Sequence, residues 1–205
     1  TLYIVSSKSG GTAEVNAFLA ACWKLAEEQL KDKAGQHFIA ITDKGTSLED
    51  EAKRRRFRKI FFADSTVGGR YSALIAFGLV PFILMGLDAD KLLKKTEWIS
   101  RQCRAEIPYP RNPALLLGTI IGTAALAGKD KLTLLFDQSI QSFGAWLEQL
   151  IAESSGKNGK GIVPINEEPL LEVEKYTSDR LFVYYRKEGE LDETVKSIHS
   201  HGHPI

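Results

Sequence analysis

The chain has 205 residues, 43% of them hydrophobic, which is ample for a packed core in one large α/β domain or two small ones. Its 27 basic and 26 acidic residues leave a net charge of +1, which excludes charge-driven attraction to nucleic acid or to an anionic membrane. Cys22 and Cys103 lie far apart and outside metal-ligand spacing, so they read as buried small hydrophobes in a reducing compartment, the cytoplasm.

Leu2-Tyr3-Ile4-Val5 is a continuous apolar run suited to a central parallel strand. A central strand needs neighbours, so upstream sequence is expected to be missing. Thr12 to Lys31 follows with helical spacing at Val15, Phe18, Leu19, Cys22, Trp23 and Leu30, and Gly35 is expected to end it. His37 to Thr42 reads as a second strand, Ser47 to Arg58 as a short charged helix and Lys59 to Ala63 as a third strand. The basic run from Lys53 to Lys59 follows Glu49-Asp50-Glu51 and reads as a solvated helix end or a subunit contact. Tyr71 to Leu87 is the most apolar stretch. It holds Pro81 and two glycines, is shorter than a membrane span of about 20 residues, and reads as a buried helix bent near Pro81.

Strand alternating with helix means a parallel sheet with crossover helices. The prolines at 108, 110 and 113 place a boundary near residue 107. Beyond it, Ala114 to Ala127 reads as a small-residue helix, Lys131 to Phe136 as a strand, and Ile140 to Ala152 as a helix anchored by Phe143 and Trp146. Gly161 to Ile165 and Arg180 to Tyr185 read as strands, and Leu191 to His199 as a final helix. His199, His201 and His203 read as a frayed tail rather than a zinc site. The expected class is α/β: two units of parallel sheet flanked by helices, spanning 1–106 and 107–205, the second truncated.

Three loops carry chemistry. Ser7-Lys8-Ser9-Gly10-Gly11-Thr12 joins a strand to a helix, where backbone N–H groups attract anions and glycines permit close approach. It lacks the spacing of a dinucleotide fingerprint or a P-loop. A plain turn with Ser9 or Thr12 as N-cap is the simpler alternative. Asp64 to Ser72 holds the pair Gly68-Gly69 before Arg70. The glycines give backbone freedom, and an arginine suits charge stabilisation rather than proton transfer. A salt bridge to Asp64 or Glu14 is its simpler alternative, with Ser72 capping the next helix. Glu153 ends a helix before Ser154-Ser155-Gly156-Lys157, where the helix dipole favours proton uptake by a carboxylate. Gln149 lies one turn earlier on the same face, whereas Glu148 has no such loop context.

Together these stretches resemble the glucose-6-phosphate isomerase family, and the chain looks like the isomerase part of a bacterial bifunctional transaldolase/phosphoglucose isomerase. Val67-Gly68-Gly69-Arg70-Tyr71-Ser72 and Glu153-Ser154-Ser155-Gly156-Lys157 carry the resemblance most specifically; the serine-rich loop is shared with sugar isomerase (SIS) domains. The resemblance implies two flavodoxin-like SIS subdomains with the active site between them, completed by a neighbouring subunit of a homodimer. It implies that Ser7, Lys8, Ser9 and Thr12 bind phosphate, that Gly69 and Arg70 face the enediolate, that Gln149 binds substrate and that Glu153 is the base. Glu14 matches an acidic position near the arginine. No metal and no cofactor are implied, and a transaldolase domain is a possible fusion partner. The family's ring-opening histidine and its late lysine have no clear counterpart, so the chain reads as an internal piece. A non-catalytic SIS module that binds sugar phosphates, and an isomerase for another substrate such as mannose 6-phosphate, are the alternatives.

Overall fold

A strand that is apolar along its length needs cover on both faces. The computed structural model, which describes residues 1–205, makes Phe38–Thr42 (β2) such a strand, with all five residues buried. Tyr3–Ser6 (β1) and Lys59–Phe62 (β3) pair with it, both parallel, in the order β1-β2-β3. Ile4 lies opposite Ile39, and Ile41 opposite Phe61. The crossover helices are Ala13–Leu30 (α1) and Ser47–Arg54 (α2). Val5, Leu19, Phe38, Ala40, Leu48 and Phe57 form the core between them. Tyr3 stacks on Phe38 with ring centroids 4.6 Å apart, and Trp23 packs on both Phe38 and Phe57. These elements belong to the first of two compact units, Thr1–Lys94 and Lys95–Ile205.

Along α2 the acidic and basic runs neutralise each other. Lys53 pairs with Glu49, and Arg54 and Arg55 with Glu51, each at 2.5 Å. The Arg55 guanidinium also lies 4.4 Å above the Trp23 ring.

Several boundaries differ from expectation, each for a local reason. Helix α1 stops at Lys31, where φ is +49°, and a 3-10 stretch over Lys31–His37 follows. Gly35 is therefore not the terminator. A Cβ there would lie 2.1 Å from the Arg55 carbonyl oxygen, so the glycine lets this stretch press against the end of α2. Helix α2 ends at Arg54 rather than Arg58, because Arg56 turns through φ +54° and returns Phe57 to the core. The stretch expected as one buried helix is a 3-10 turn over Gly69–Leu74 followed by Ala76–Leu84 (α3), broken at extended Ile75 rather than at Pro81. None of α3 is buried, and Ile83, Leu84, Met85 and Leu87 are exposed. Hydropathy states that such a surface favours cover; it does not supply the cover. Ala89–Gln102 (α4) is a helix beyond those expected, and Asp88 opens it by accepting a bond from the Lys91 amide at 2.9 Å.

In the second unit, Pro113–Leu126 (α5) begins at Asn112, whose side chain accepts from the Leu115 amide and donates to the Arg104 carbonyl. Lys131–Phe136 (β4) is central, flanked by Val163–Ile165 (β5) and Arg180–Tyr185 (β6), all parallel. Leu132, Leu134 and Leu181 face Leu147 of Phe143–Ser155 (α6). On the other face, Leu135 and Phe182 pack with Tyr176 and with Ile198 of Asp192–Ser200 (α7). The tail expected to fray is held: Phe182 donates its amide to Pro204, and His203 packs on Tyr176 and Phe182. Cys22 and Cys103 are half-buried rather than buried. No helix is long and apolar enough to cross a membrane. Both units are thus α/β, each a parallel sheet flanked by helices.

Candidate functional site

In open parallel sheets, ligands bind beyond the carboxyl ends of the strands. The first unit gathers three of its loops there. Ser7 leaves β1 buried, with its amide on the Ile41 carbonyl at 3.0 Å. Its hydroxyl accepts from the Gly10 amide at 3.1 Å and lies 3.3 Å from the Thr12 hydroxyl. Ser9, which is exposed, accepts from the Gly11 amide at 3.3 Å. Thr12 occupies the N-cap position of α1, but its side chain makes no capping bond and turns to Ser7 instead. Hydroxyls and amides are therefore clustered at a helix N-terminus, an arrangement suited to an oxyanion. Glu14, in the first turn of α1, is exposed.

Lys8 is already paired. Its ammonium lies 2.6 Å from Asp43 Oδ2 and donates to the Ser65 carbonyl at 3.1 Å. Gly10 has φ +73°, and a Cβ there would lie 2.7 Å from the Leu48 amide nitrogen. Only glycine fits that turn so close to α2.

The arginine turn follows β3. Asp64 accepts from both the hydroxyl and the amide of Thr66, and these two bonds hold its carboxyl below the usual carboxylate range. Gly68 and Gly69 do not use left-handed backbone; Gly68 has φ −63° and opens the 3-10 turn. A Cβ at Gly69 would meet no protein atom within 4 Å, so the backbone there is open to approach. The Arg70 guanidinium lies 5.2 Å over the Tyr71 ring. Ser72 donates to the Gly69 carbonyl and closes the turn rather than capping α3.

In the second unit, Gln149 and Glu153 lie one turn apart on α6. The amide nitrogen of Gln149 donates to Glu153 Oε1 at 3.1 Å. Trp146 and Leu147 fix the buried side of this helix, and Gly144 lets it approach the sheet, since a Cβ would lie 2.0 Å from Asn166 Oδ1. Ser155 then closes the helix end, donating to the Ile151 carbonyl and accepting from the Ile162 amide. Between them, Lys157 and Lys160 exchange both backbone bonds around Asn158 and Gly159, both at positive φ. The glutamate thus stands on a packed helix with a closed turn behind it.

The match to known proteins covers these loops. The model of the phosphoglucose isomerase family matches residues 1–167. The chain belongs to the phosphoglucose isomerase family. It is 36% identical over 164 residues to a glucose-6-phosphate isomerase of Citrifermentans bemidjiense, covering 77% of this chain and 30% of that protein. It is 37% identical over 167 residues to one of Methanocaldococcus jannaschii, covering 80% of this chain and 40% of that protein. Among solved structures, a hypothetical protein of Thermus thermophilus superposes with a TM-score of 0.79 at 25% identity, covering 96% of this chain and 52% of that one. The chain therefore spans less than half the length of these two curated relatives.

All eight candidate residues fall inside the family match, which ends within the loop after β5. The loop over residues 7–12 rests on residues that the sequence does not single out. Thr42 and Asp43 bond to Lys8, and Ser47 donates to the Gly10 carbonyl at 2.9 Å. Their signal is position alone: Thr42 ends β2, Asp43 follows it and Ser47 opens α2, all at the carboxyl end of a parallel strand. The second unit holds another such acid, Asp137, fully buried at the end of β4. It accepts from the Tyr184 hydroxyl and from the backbone amides of Lys187, Glu188, Gly189 and Glu190. Burial opposes its ionisation, but the Tyr184 hydroxyl and these amides outweigh burial and hold its carboxyl far below the usual range.

Proposed function

We propose that the protein interconverts glucose 6-phosphate and fructose 6-phosphate through a cis-enediolate. The observation that carries this reading is the family match spanning both the loop of Ser7, Lys8, Ser9 and Thr12 and the Gln149–Glu153 pair. The substrate phosphate is held by the loop's hydroxyls and amides at the start of α1. Glu153 removes the C2 proton of the open-chain aldose and returns it to C1, while the O2 hydroxyl proton passes to O1 to give the ketose. Gln149 restrains the carboxylate and offers its amide to a substrate oxygen. Arg70, beside the open backbone of Gly69, stabilises the developing oxyanion electrostatically. No cofactor or metal enters this scheme. The subdomains are 1–106 and 107–205. Within this reading the protein is a cytoplasmic homodimer, as the family resemblance implies.

An assay coupling glucose 6-phosphate formation from fructose 6-phosphate to a dehydrogenase tests this reading. Glu153→Gln is expected to lower turnover by about 10²–10⁴-fold while sparing phosphate binding. Unchanged turnover would remove Glu153 from the role of base.

A further inference from the structure

The phosphate loop carries a lysine, and the simplest use for that lysine is as a free charge for the anion. The geometry points elsewhere. The Lys8 ammonium meets Asp43 Oδ2 at 2.6 Å, and the Asp43 side chain is only 13% exposed. A pair at this distance is joined by a charge-assisted hydrogen bond, and its net charge is zero. An acid beside an anion cradle is unfavourable to the anion unless it performs another task.

That task is visible in what Lys8 spans. Its backbone carbonyl accepts from the Asp43 amide and from the Thr42 hydroxyl, each at 3.3 Å, which binds the exit of β1 to the exit of β2. Its ammonium continues to the Ser65 carbonyl at 3.1 Å, beyond the end of β3. Ser65 stands in the arginine turn, next to Asp64, whose carboxylate holds Thr66. One side chain thus ties the loop over 7–12 to the turn over 64–72, and Asp43 holds that side chain in place. The second carboxylate oxygen, Asp43 Oδ1, is buried and takes no hydrogen bond from the protein, so Lys8 is the partner that compensates the burial of this charge.

We infer that Asp43 is a positioning residue: acting through Lys8, it sets the spacing between the phosphate loop and the arginine turn. The inference rests on the sugar-phosphate reading above and adds a residue to it. It predicts an asymmetry that electrostatics alone would not give. Removing the acid adds positive potential at the loop, so inorganic phosphate, which needs the loop only, should bind as well as before or more tightly. Fructose 6-phosphate, which must engage both loop and turn, should bind more weakly.

Calorimetric titration of the full chain with each ligand decides it. Asp43→Ala is expected to weaken fructose 6-phosphate about tenfold while phosphate is unchanged or tighter. Asp43→Asn keeps an acceptor for Lys8 and should recover part of the loss. If the alanine variant loses its helical circular dichroism, the asparagine variant is judged by the same ratio of the two affinities. Equal shifts for both ligands, or none, would overturn the inference. Ser7→Ala and Thr12→Val separate it from the reading beneath it, since both should weaken phosphate and sugar phosphate together. If neither does, the phosphate loop itself falls, and the inference with it. If both do while Asp43→Ala leaves the ratio unchanged, only the positioning role falls.

Discussion

Two strand ends in this chain solve the same problem in opposite ways. After β1, the amides of Gly10 and Gly11 bond to the hydroxyls of Ser7 and Ser9. After β4, the carboxylate of Asp137 sits among four successive amides from residues 187–190, with the Tyr184 hydroxyl as a fifth donor. Both are clusters of donors suited to an anion. In the second unit the protein supplies the anion itself, permanently and without exposure. In the first it supplies neutral hydroxyls, which rotate and can exchange hydrogen-bond partners. A covalently attached carboxylate makes a lock; a serine makes a cradle.

The sharpest way to break this comparison is to empty the lock. Asp137→Ala leaves four backbone amides without their buried acceptor and is expected to cause the largest loss of any substitution here. The melting midpoint should fall by about 10 °C or more, with the loop over residues 7–12 undisturbed. Acid should do the same more gently. Because the folded carboxyl lies below its ordinary value of 3.8, its contribution is complete above that value and is lost as pH falls below it. Thermal unfolding followed from pH 7 down to pH 2 should therefore show a loss of stability beginning near pH 4. Asp137→Asn should flatten that slope, and an unchanged slope would remove Asp137 as its source.

The contrast is only half legible in the sequence. The loop after β1 is legible as a polar turn at a helix start, because serine, glycine and threonine stand between an apolar strand and a helical pattern. The parallel strands are legible too: Phe38 to Thr42 and Lys131 to Phe136 are short, mostly apolar runs bounded by polar residues. The lock is invisible, because Asp137 and its donors are some fifty residues apart, and four of its bonds come from backbone that carries no residue code. Asp43 is hidden similarly, since its partner Lys8 lies 35 residues away. The helix ends at Lys31 and Arg56 escape notice because non-glycine residues take the left-handed turns that glycine usually marks. The surface of α3 reads as buried because apolar character reports a need for cover and not its source.

Within the cradle, the next largest effect is steric. Gly10→Ala places a methyl group 2.7 Å from the Leu48 amide nitrogen at a backbone φ of +73°. The left-handed penalty and the clash together should destabilise the first unit by about 3 kcal/mol. Chemical denaturation measures it, and a loss below about 1 kcal/mol would mean that the loop shifts away from α2 at little cost.

The smallest effect is the most telling for the comparison. Ser7→Ala removes the hydroxyl that accepts from Gly10 and meets Thr12, and Ser7 is itself buried. If the loop were a lock like that around Asp137, its loss would approach the cost of emptying that nest. A cradle built to exchange partners holds each bond weakly, so the expected loss is about 1 kcal/mol, a neutral hydrogen bond's worth. Denaturation of Ser7→Ala beside Asp137→Ala reads the difference directly. Comparable losses would show that the serine is structural and that the first unit, like the second, has closed its anion site with its own side chains.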